Sequence, residues 1–172
     1  HRQNEDVLFY APKKIEWLSE PRKASHGAGQ KILKWPIKYL WTQVRLCWEL
    51  WWHAPDKFFV PVHKMPLWFL LFNKKTEKYT LIHDIAFKKK PEVYSFLKRW
   101  YLNFDLKLSL QKCKKVFVPT QAVKDDIVKY FSKFEYKIVV IHHGYKRNKE
   151  IGNRDIKKKR QVLYIGRVEE KK

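Results

Sequence analysis

The stretch Tyr79-Thr80-Leu81-Ile82-His83-Asp84 joins a short apolar run to a histidine and an aspartate. An apolar run of this length without in-and-out alternation is typical of a strand that is buried on both faces of a parallel sheet. The chain is therefore predicted to contain several such strands, because five other runs share this character: Val7-Leu8-Phe9-Tyr10, Lys57-Phe58-Phe59-Val60, Val116-Phe117-Val118, Lys137 to Ile141, and Val162-Leu163-Tyr164-Ile165.

Helical patterns lie between these predicted strands. Pro91 and Glu92 suit the first turn of a helix, and its apolar face would contain Leu97, Trp100, Tyr101, Phe104 and Leu108. Thr120 is a predicted N-cap for the next helix, with an apolar repeat of Val123, Ile127, Tyr130 and Phe131. Alternation of strand and helix predicts right-handed βαβ units, and hence an α/β fold with a doubly wound, parallel, Rossmann-like sheet.

The region between the first two of these strands has a different character. A polar segment through Gly27 and Gly29 is predicted to be a loop. The segment from Pro36 to Trp52 is predicted to be an amphipathic helix, and it is too short and too charged to span a membrane. Core packing is the interpretation we favour for its apolar stripe, and an interfacial helix is the alternative. The stripe consists of Ile37, Leu40, Trp41, Val44, Trp48 and Trp51.

The composition describes a strongly basic globular chain of 172 residues, with 38 Lys and Arg against 17 Asp and Glu and a net charge of +21. A positive electrostatic field of this size favours binding to nucleic acid, an anionic membrane surface or phosphorylated substrates. The alternative, that the lysine runs only solvate the surface, is given equal weight. Cys47 and Cys113 have no zinc-like spacing, which favours a reducing, cytoplasmic location. No signal-peptide pattern opens the chain, and the missing initiator Met leads us to expect residues upstream.

Polar residues follow the predicted strands at the points where they end. Because the carboxyl ends of parallel strands meet at one edge, ligands bind in the crevice there. Each histidine could instead only cap a loop, and the adjacent His142 and His143 are poorly placed to chelate one metal. The residues at this edge are His63, His83, Asp84, Thr120, His142, His143, Gly144, Gly166 and Arg167.

Gly166 and Arg167 follow the last apolar run, and Lys172 lies five residues beyond Arg167. A glycine allows close approach to a ligand, and a helix N-terminus with basic side chains suits a diphosphate. Alone this pattern is weak, because strand-glycine-basic sequences are common.

Five ordered motifs give the chain a family resemblance. They are Asp56 to His63, Tyr79 to Phe87, Val116 to Thr120, Lys137 to Gly144, and Val162 to Glu169. This series resembles the family-four retaining glycosyltransferases of bacteria and archaea, which have the GT-B fold and include many mannosyl- and glucosyltransferases of surface polysaccharide and glycolipid synthesis. The resemblance covers roughly residues 56 to 172.

The resemblance implies a domain organisation and a set of site residues. Residues 1–144 would form the acceptor-side domain without its first strand and helix, residues 145–160 the linker, and residues 161–172 the start of the nucleotide-sugar domain. His83 would be the catalytic histidine that faces the transferred sugar, with His63, Asp84, Thr120, His143 and Gly144 around the cleft. Gly166, Arg167 and Lys172 would hold the donor diphosphate, so that fixed cations stabilise the leaving group without a metal or other cofactor.

The implied reaction moves a sugar from a nucleotide-diphosphate sugar to a lipid-linked, polysaccharide or glycolipid acceptor, with retention of configuration. The chain departs from the family at His143-Gly144-Tyr145-Lys146, where Asn-Gly, an apolar residue and Asp are usual. The glycine-rich loop after the first strand is absent, and the paired-glutamate motif would lie beyond Lys172, so we expect these 172 residues alone to be inactive.

Two other functions remain open at the level of sequence. A nucleic-acid-binding module would use the basic charge and interleaved aromatic residues, but no RNA- or DNA-binding motif supports it and no nucleic acid is expected as a partner. A non-catalytic, membrane-associated scaffold would use the basic, Trp-rich region from Lys34 to Trp52 and the segment Lys64 to Phe69. In an enzyme the same two segments would help it to dock on the inner face of the plasma membrane.

Overall fold

A four-stranded parallel sheet forms the centre of the computed structural model, which describes residues 7–15, 28–37, 40–62 and 64–144. Its order is β3-β4-β5-β6, with Phe59 opposite Tyr79 and Phe117 opposite Val139. All pairings are parallel, which confirms the predicted mixed α/β, Rossmann-like fold. The strands are β3 (Lys57–Val60), β4 (Glu77–Leu81), β5 (Lys115–Val118) and β6 (Ile138–Val140).

Five α-helices accompany the strands in the described residues. Short 3₁₀ segments occupy Pro91–Val93 and Ser132–Lys137. None of the helices in this part of the chain has the length and apolarity required to cross a bilayer. The helices are α1 (Cys47–Trp52), preceded by a π-helical segment Trp41–Leu46, α2 (Leu67–Phe72), α3 (Ala86–Lys89), α4 (Phe96–Lys112) and α5 (Gln121–Phe131).

A separate two-stranded parallel sheet contains β1 (Val7–Ala11) and β2 (Ala28–Ile32). The prediction of a loop through Gly29 was therefore wrong at β2. A Cβ on residue 29 would lie 3.3 Å from Leu8 Cδ1, so glycine here leaves room for the side chain of its partner in β1. β2 pairs with β1 along its whole length, although Ile32 is its only β-branched residue and it contains no aromatic residue.

The main sheet is buried on one face only within the described residues, which corrects the expectation of two covered faces. Phe58 and Val60 of β3 are buried, whereas Phe59 between them is 51% exposed. Burial alternates in β4 and β5 as well. Successive right-handed crossovers to the adjacent strand place their helices on the same side of a sheet, which explains this asymmetry.

Helix α4 presents a different face to the core from the predicted one. Leu97 is 76% exposed and Trp100 is 61% exposed, whereas Leu108 of the predicted stripe is buried. The helix begins at Phe96 rather than at Pro91, which lies in a separate 3₁₀ turn. The face that is actually buried includes polar residues, so a search for apolar residues at helical spacing does not find it. It contains Asp105, Leu106, Ser109 and Leu110.

Helix α5 follows its prediction more closely. The Thr120 hydroxyl accepts a hydrogen bond from the Val123 backbone N–H at 3.3 Å, which confirms the N-cap. Ile127 is fully buried and Phe131 is partly buried against the core. Tyr130 is 45% exposed, so it lies at the border of the apolar face rather than in the core.

Among the described residues, the helix predicted from Pro36 to Trp52 begins at Trp41, and most of its predicted stripe does not face the core. Leu46, Cys47 and Leu50 are buried instead, whereas Trp48 and Trp51 are exposed. The favoured interpretation of core packing was therefore wrong for these two tryptophans. Trp41 lies at the border, where its indole N–H donates to the Leu33 carbonyl at 2.7 Å.

A buried carboxylate ties α1 to β2. Glu49 is 6% exposed, and its oxygens lie 2.5 Å from Lys31 Nζ, 3.2 Å from Arg45 Nη1 and 3.1 Å from His53 Nδ1. The hydrogen bond from Lys31 is the main cause that lowers the pKa of the Glu49 carboxyl. A buried carboxylate requires such partners, so the cluster fixes the position of the helix.

Candidate functional site

The carboxyl ends of β4, β5 and β6 lie along one edge of the main sheet, because the three strands are parallel. His83 follows β4 after the buried Ile82, Thr120 follows β5, and His143 and Gly144 follow β6. All four of these residues have exposed side chains or backbone. The fold therefore gathers polar groups from three strands at the edge where parallel sheets bind ligands.

The His83 ring is held by two contacts. Its Nε2 lies 3.1 Å from the carbonyl oxygen of Pro61, which follows β3. A carbonyl can only accept, so Nε2 carries the proton and donates it, and Nδ1 is the nitrogen left for other partners. The ring also stacks on the His143 ring, with centroids 5.4 Å apart and an interplanar angle of 25°. The structure thus brings together two of the predicted site residues from different strands.

His142 makes a separate contact. Its Nδ1 lies 3.1 Å from the carbonyl oxygen of Pro119, to which it donates. The adjacent histidines His142 and His143 therefore contact different neighbours. No group of three or more His, Cys, Asp or Glu suited to a metal ion occurs among the described residues.

Asp84 and Thr120 have local structural contacts at the same edge. Asp84 Oδ1 accepts a hydrogen bond from the Ala86 backbone N–H at 3.0 Å, at the start of α3. Thr120 caps α5 as described above. Both side chains orient the first turn of a helix that leaves the edge, so they help to shape it.

An open cavity of about 400 Å³ lies beside the histidines. Phe59, Leu81 and Phe117 form its floor on the uncovered face of the sheet, with Phe59 and Phe117 packed at 6.1 Å between ring centroids. Ile141, His142, His143 and Gly144 complete the lining. A mostly apolar concavity with a few convergent polar groups is the usual form of a small-molecule site.

The apolar floor of this cavity was not found from the sequence. Strands that are apolar throughout predict a sheet covered on both faces. Under that prediction no strand residue is expected to be exposed. The signal that could have identified the floor is the alternation of side chains along a strand. It places Phe59 on the opposite face of the sheet from Phe58 and Val60. Cross-strand register then aligns Phe59 with Tyr79 and Leu81 with Phe117.

Several predicted site residues lie outside the described residues. They are His63 of the cleft and the predicted diphosphate group Gly166, Arg167 and Lys172. The predicted linker at 145–160 and the predicted domain start at 161–172 lie outside them as well. Their roles stay predictions from the sequence.

Comparison with known proteins points to one class of enzyme. The chain is similar to a glycosyltransferase over 85 residues at 32% identity, and this similarity supports a glycosyltransferase relationship. That relative is the O-antigen chain mannosyltransferase RfbU of Salmonella typhimurium; the match covers 49% of this chain and 23% of the relative. The chain thus spans less than a quarter of the relative's length in this match. No family model and no solved structure matches the chain.

Proposed function

We propose that this chain is the acceptor-side part of a glycosyltransferase with a GT-B fold. The reaction is transfer of a sugar from a nucleotide-diphosphate sugar to a saccharide or lipid-linked acceptor, with retention of configuration as the family resemblance implies. The observation that carries the proposal is the pairing of His83 with His143 at the carboxyl edge of the parallel sheet, in a chain similar to a mannosyltransferase. Mannose and glucose are the first donor sugars to test, the former because of the relative's name.

His83 would contact the sugar that is transferred. Its ring orientation is fixed by the Pro61 carbonyl and by His143, so little motion has to be frozen when a sugar binds. Its Nδ1 can accept a hydrogen bond from a sugar hydroxyl. A preorganised hydrogen-bonding group of this kind stabilises a transition state more than a mobile one does.

The cavity beside the histidines would hold part of the acceptor or of the donor sugar. Its aromatic floor offers an apolar surface to the carbon-bound hydrogens of a sugar ring, while His142 and His143 offer polar atoms at the margin. Gly144 has no atom within 4 Å of the position of a Cβ, so the chain leaves room there. We propose His63, Asp84 and Thr120 as further residues of this cleft.

Breaking a sugar-diphosphate bond builds negative charge on the leaving oxygen. Arg167 and Lys172, with the backbone at Gly166, are the proposed cations and anion-binding amides for that charge. Fixed cations can neutralise a diphosphate without a metal, so we propose a metal-independent reaction. A chelator should then leave the rate unchanged.

The test of the proposal is sugar transfer by the complete gene product and by its His83→Ala variant. The assay follows radiolabelled sugar from a panel of nucleotide sugars into a lipid and polysaccharide extract. His83→Ala should reduce kcat about a hundredfold, the usual effect of removing one transition-state donor.

His53→Ala is the matched control, because it removes the same side chain from an exposed position directly after α1, and its partner Glu49 keeps its contacts with Lys31 and Arg45. It should leave kcat within about twofold, as is usual for surface changes. A folded wild-type protein that transfers no sugar contradicts the function. Transfer that is undiminished in His83→Ala contradicts only the role of His83.

A further inference from the structure

A cluster of exposed aromatic side chains covers one side of α1 and α2. We call it the tryptophan surface; it is formed by Val44, Trp48, Trp51, Trp52, Trp68 and Phe72, which line an open groove of about 610 Å³. Trp48 is 66% exposed, Trp52 67% and Trp68 60%. Scattered apolar residues are normal on a protein surface, but a contiguous group of large ones indicates a binding surface.

The sequence separates the buried and exposed sides of these helices cleanly. In α2, Phe69 and Leu70 are fully buried, whereas Trp68 and Phe72 point away from the core and stack with centroids 5.5 Å apart. Phe69 packs edge-to-face on Phe58 of β3 at 5.4 Å, which anchors the short helix to the sheet. The exposed aromatics thus rest on a fixed base rather than on a loosely attached segment.

Contacts between the helices hold the tryptophan surface together. Gln43 donates through Nε2 to the Met65 carbonyl at 3.0 Å, and its Oε1 accepts from the Leu67 backbone N–H at 2.9 Å. These bonds join the π-helical segment before α1 to the start of α2. On α1, the ring centroids of Trp48 and Trp52 lie 6.2 Å apart. Because tryptophans of both helices line the same groove, they form one surface and not two separate sites.

The residue types and charges around this surface favour one partner. Indole rings have an apolar body and an N–H donor, the combination that suits the headgroup region of a bilayer. Exposed lysines flank α2 at both ends, with Lys64 before it and Lys74 and Lys75 after it. Residues 40–76 contain five Lys and Arg against two Asp and Glu, and one of these two is the buried, paired Glu49.

We propose that the tryptophan surface docks the protein on an anionic lipid bilayer, with the indoles in the headgroup layer and the flanking lysines on the lipid phosphates. The proposal is independent of sugar transfer, since it rests on α1 and α2 and not on the histidines. It also explains why four tryptophans and a phenylalanine of α1 and α2 remain exposed beside the buried Phe69 and Leu70. Apolar burial and attraction to anionic lipid act together in such binding.

Vesicle sedimentation tests the proposal with the complete gene product. Sucrose-loaded vesicles of phosphatidylcholine with one quarter phosphatidylglycerol are compared with pure phosphatidylcholine vesicles, at about 0.1 M and about 0.5 M salt. We expect binding to the anionic vesicles that weakens at high salt and with the neutral lipid. The variant Trp48→Ala with Trp68→Ala should bind at least about tenfold more weakly, because it removes two inserted rings.

Tyr136→Ala is the matched control for the loss of an aromatic ring. Tyr136 is 71% exposed and lies next to β6, at the opposite end of the sheet order from β3. A second variant with Lys64, Lys74 and Lys75 changed to Glu should also lose about tenfold or more in binding to anionic vesicles. Circular dichroism checks that each variant is folded, and all six substituted residues are exposed.

Three outcomes would overturn the proposal. One is equal vesicle binding by wild type and the folded tryptophan variant. Another is equal binding to neutral and anionic vesicles at low salt. The third is a wild-type protein that ignores vesicles but sediments as a dimer, which the tryptophan variant does not form; the surface would then join two copies of the chain.

Discussion

Asp105 offers a stability prediction whose size follows from its burial. Its carboxyl is fully buried on α4, and this burial raises its pKa from 3.8 to about 7. The charge it acquires above that pH acts on the nearby Tyr101 hydroxyl and Cys113 thiol, whose pKa values it raises further. The folded protein thus holds this proton more tightly than the unfolded chain does.

The sign of the pH dependence follows from that difference. Between about pH 4 and pH 7 the native state binds more protons than the unfolded state, so the free energy of unfolding falls as the pH rises. At 1.36 kcal/mol for each pH unit, the penalty is ~1.5 kcal/mol at pH 5 and reaches ~4 kcal/mol above pH 7. Asp105→Asn has nearly the same shape and cannot ionise, so it removes this penalty.

Urea unfolding of wild type and Asp105→Asn at pH 5 and pH 8 measures the effect. The gain in stability from the substitution should be larger at pH 8 by ~3 kcal/mol, and comparing the two proteins at each pH cancels the titration of other groups. Asp125→Asn, a substitution at an exposed position on α5, serves as the control. Its effect on the free energy of unfolding should not increase by ~3 kcal/mol between pH 5 and pH 8. A gain from Asp105→Asn that is equal at both pH values would refute the reasoning.

Two further substitutions test the elements that surround the site. Glu49→Gln should lower the free energy of unfolding at pH 7 by about 1 to 3 kcal/mol, because Lys31 and Arg45 lose a charged partner. The loss should disappear as the pH falls below the lowered pKa of Glu49, and a constant loss in acid would contradict this account. Thr120→Ala should cost about 1 kcal/mol in thermal unfolding, while Thr120→Ser, which keeps the cap, should cost less; equal losses would argue against capping.

The sequence was sufficient for the parallel direction of the main strands. Lys57–Val60 was predicted with its observed bounds, and the Thr120 cap was predicted with its role. These features depend on local signals: an apolar run of strand length, and a hydroxyl residue before a helical repeat. His83 was placed at the strand edge by the same rule for parallel sheets.

Features that depend on long-range packing were missed. β2 acquires its structure from pairing with β1, which residues 28–32 do not reveal by themselves. The buried face of α4 contains Asp105 and Ser109, so an apolar periodicity selected the wrong side. The stacking of His83 on His143 joins residues 60 positions apart, and only the parallel register brings them together.

The most direct measurement is the rate at which the complete gene product moves labelled sugar from a nucleotide sugar to an acceptor, with the released nucleoside diphosphate counted in the same reaction. Our account predicts one nucleoside diphosphate for each sugar transferred, and a rate that falls about a hundredfold in His83→Ala. A folded protein that releases no nucleoside diphosphate from any nucleotide sugar in the panel would contradict it.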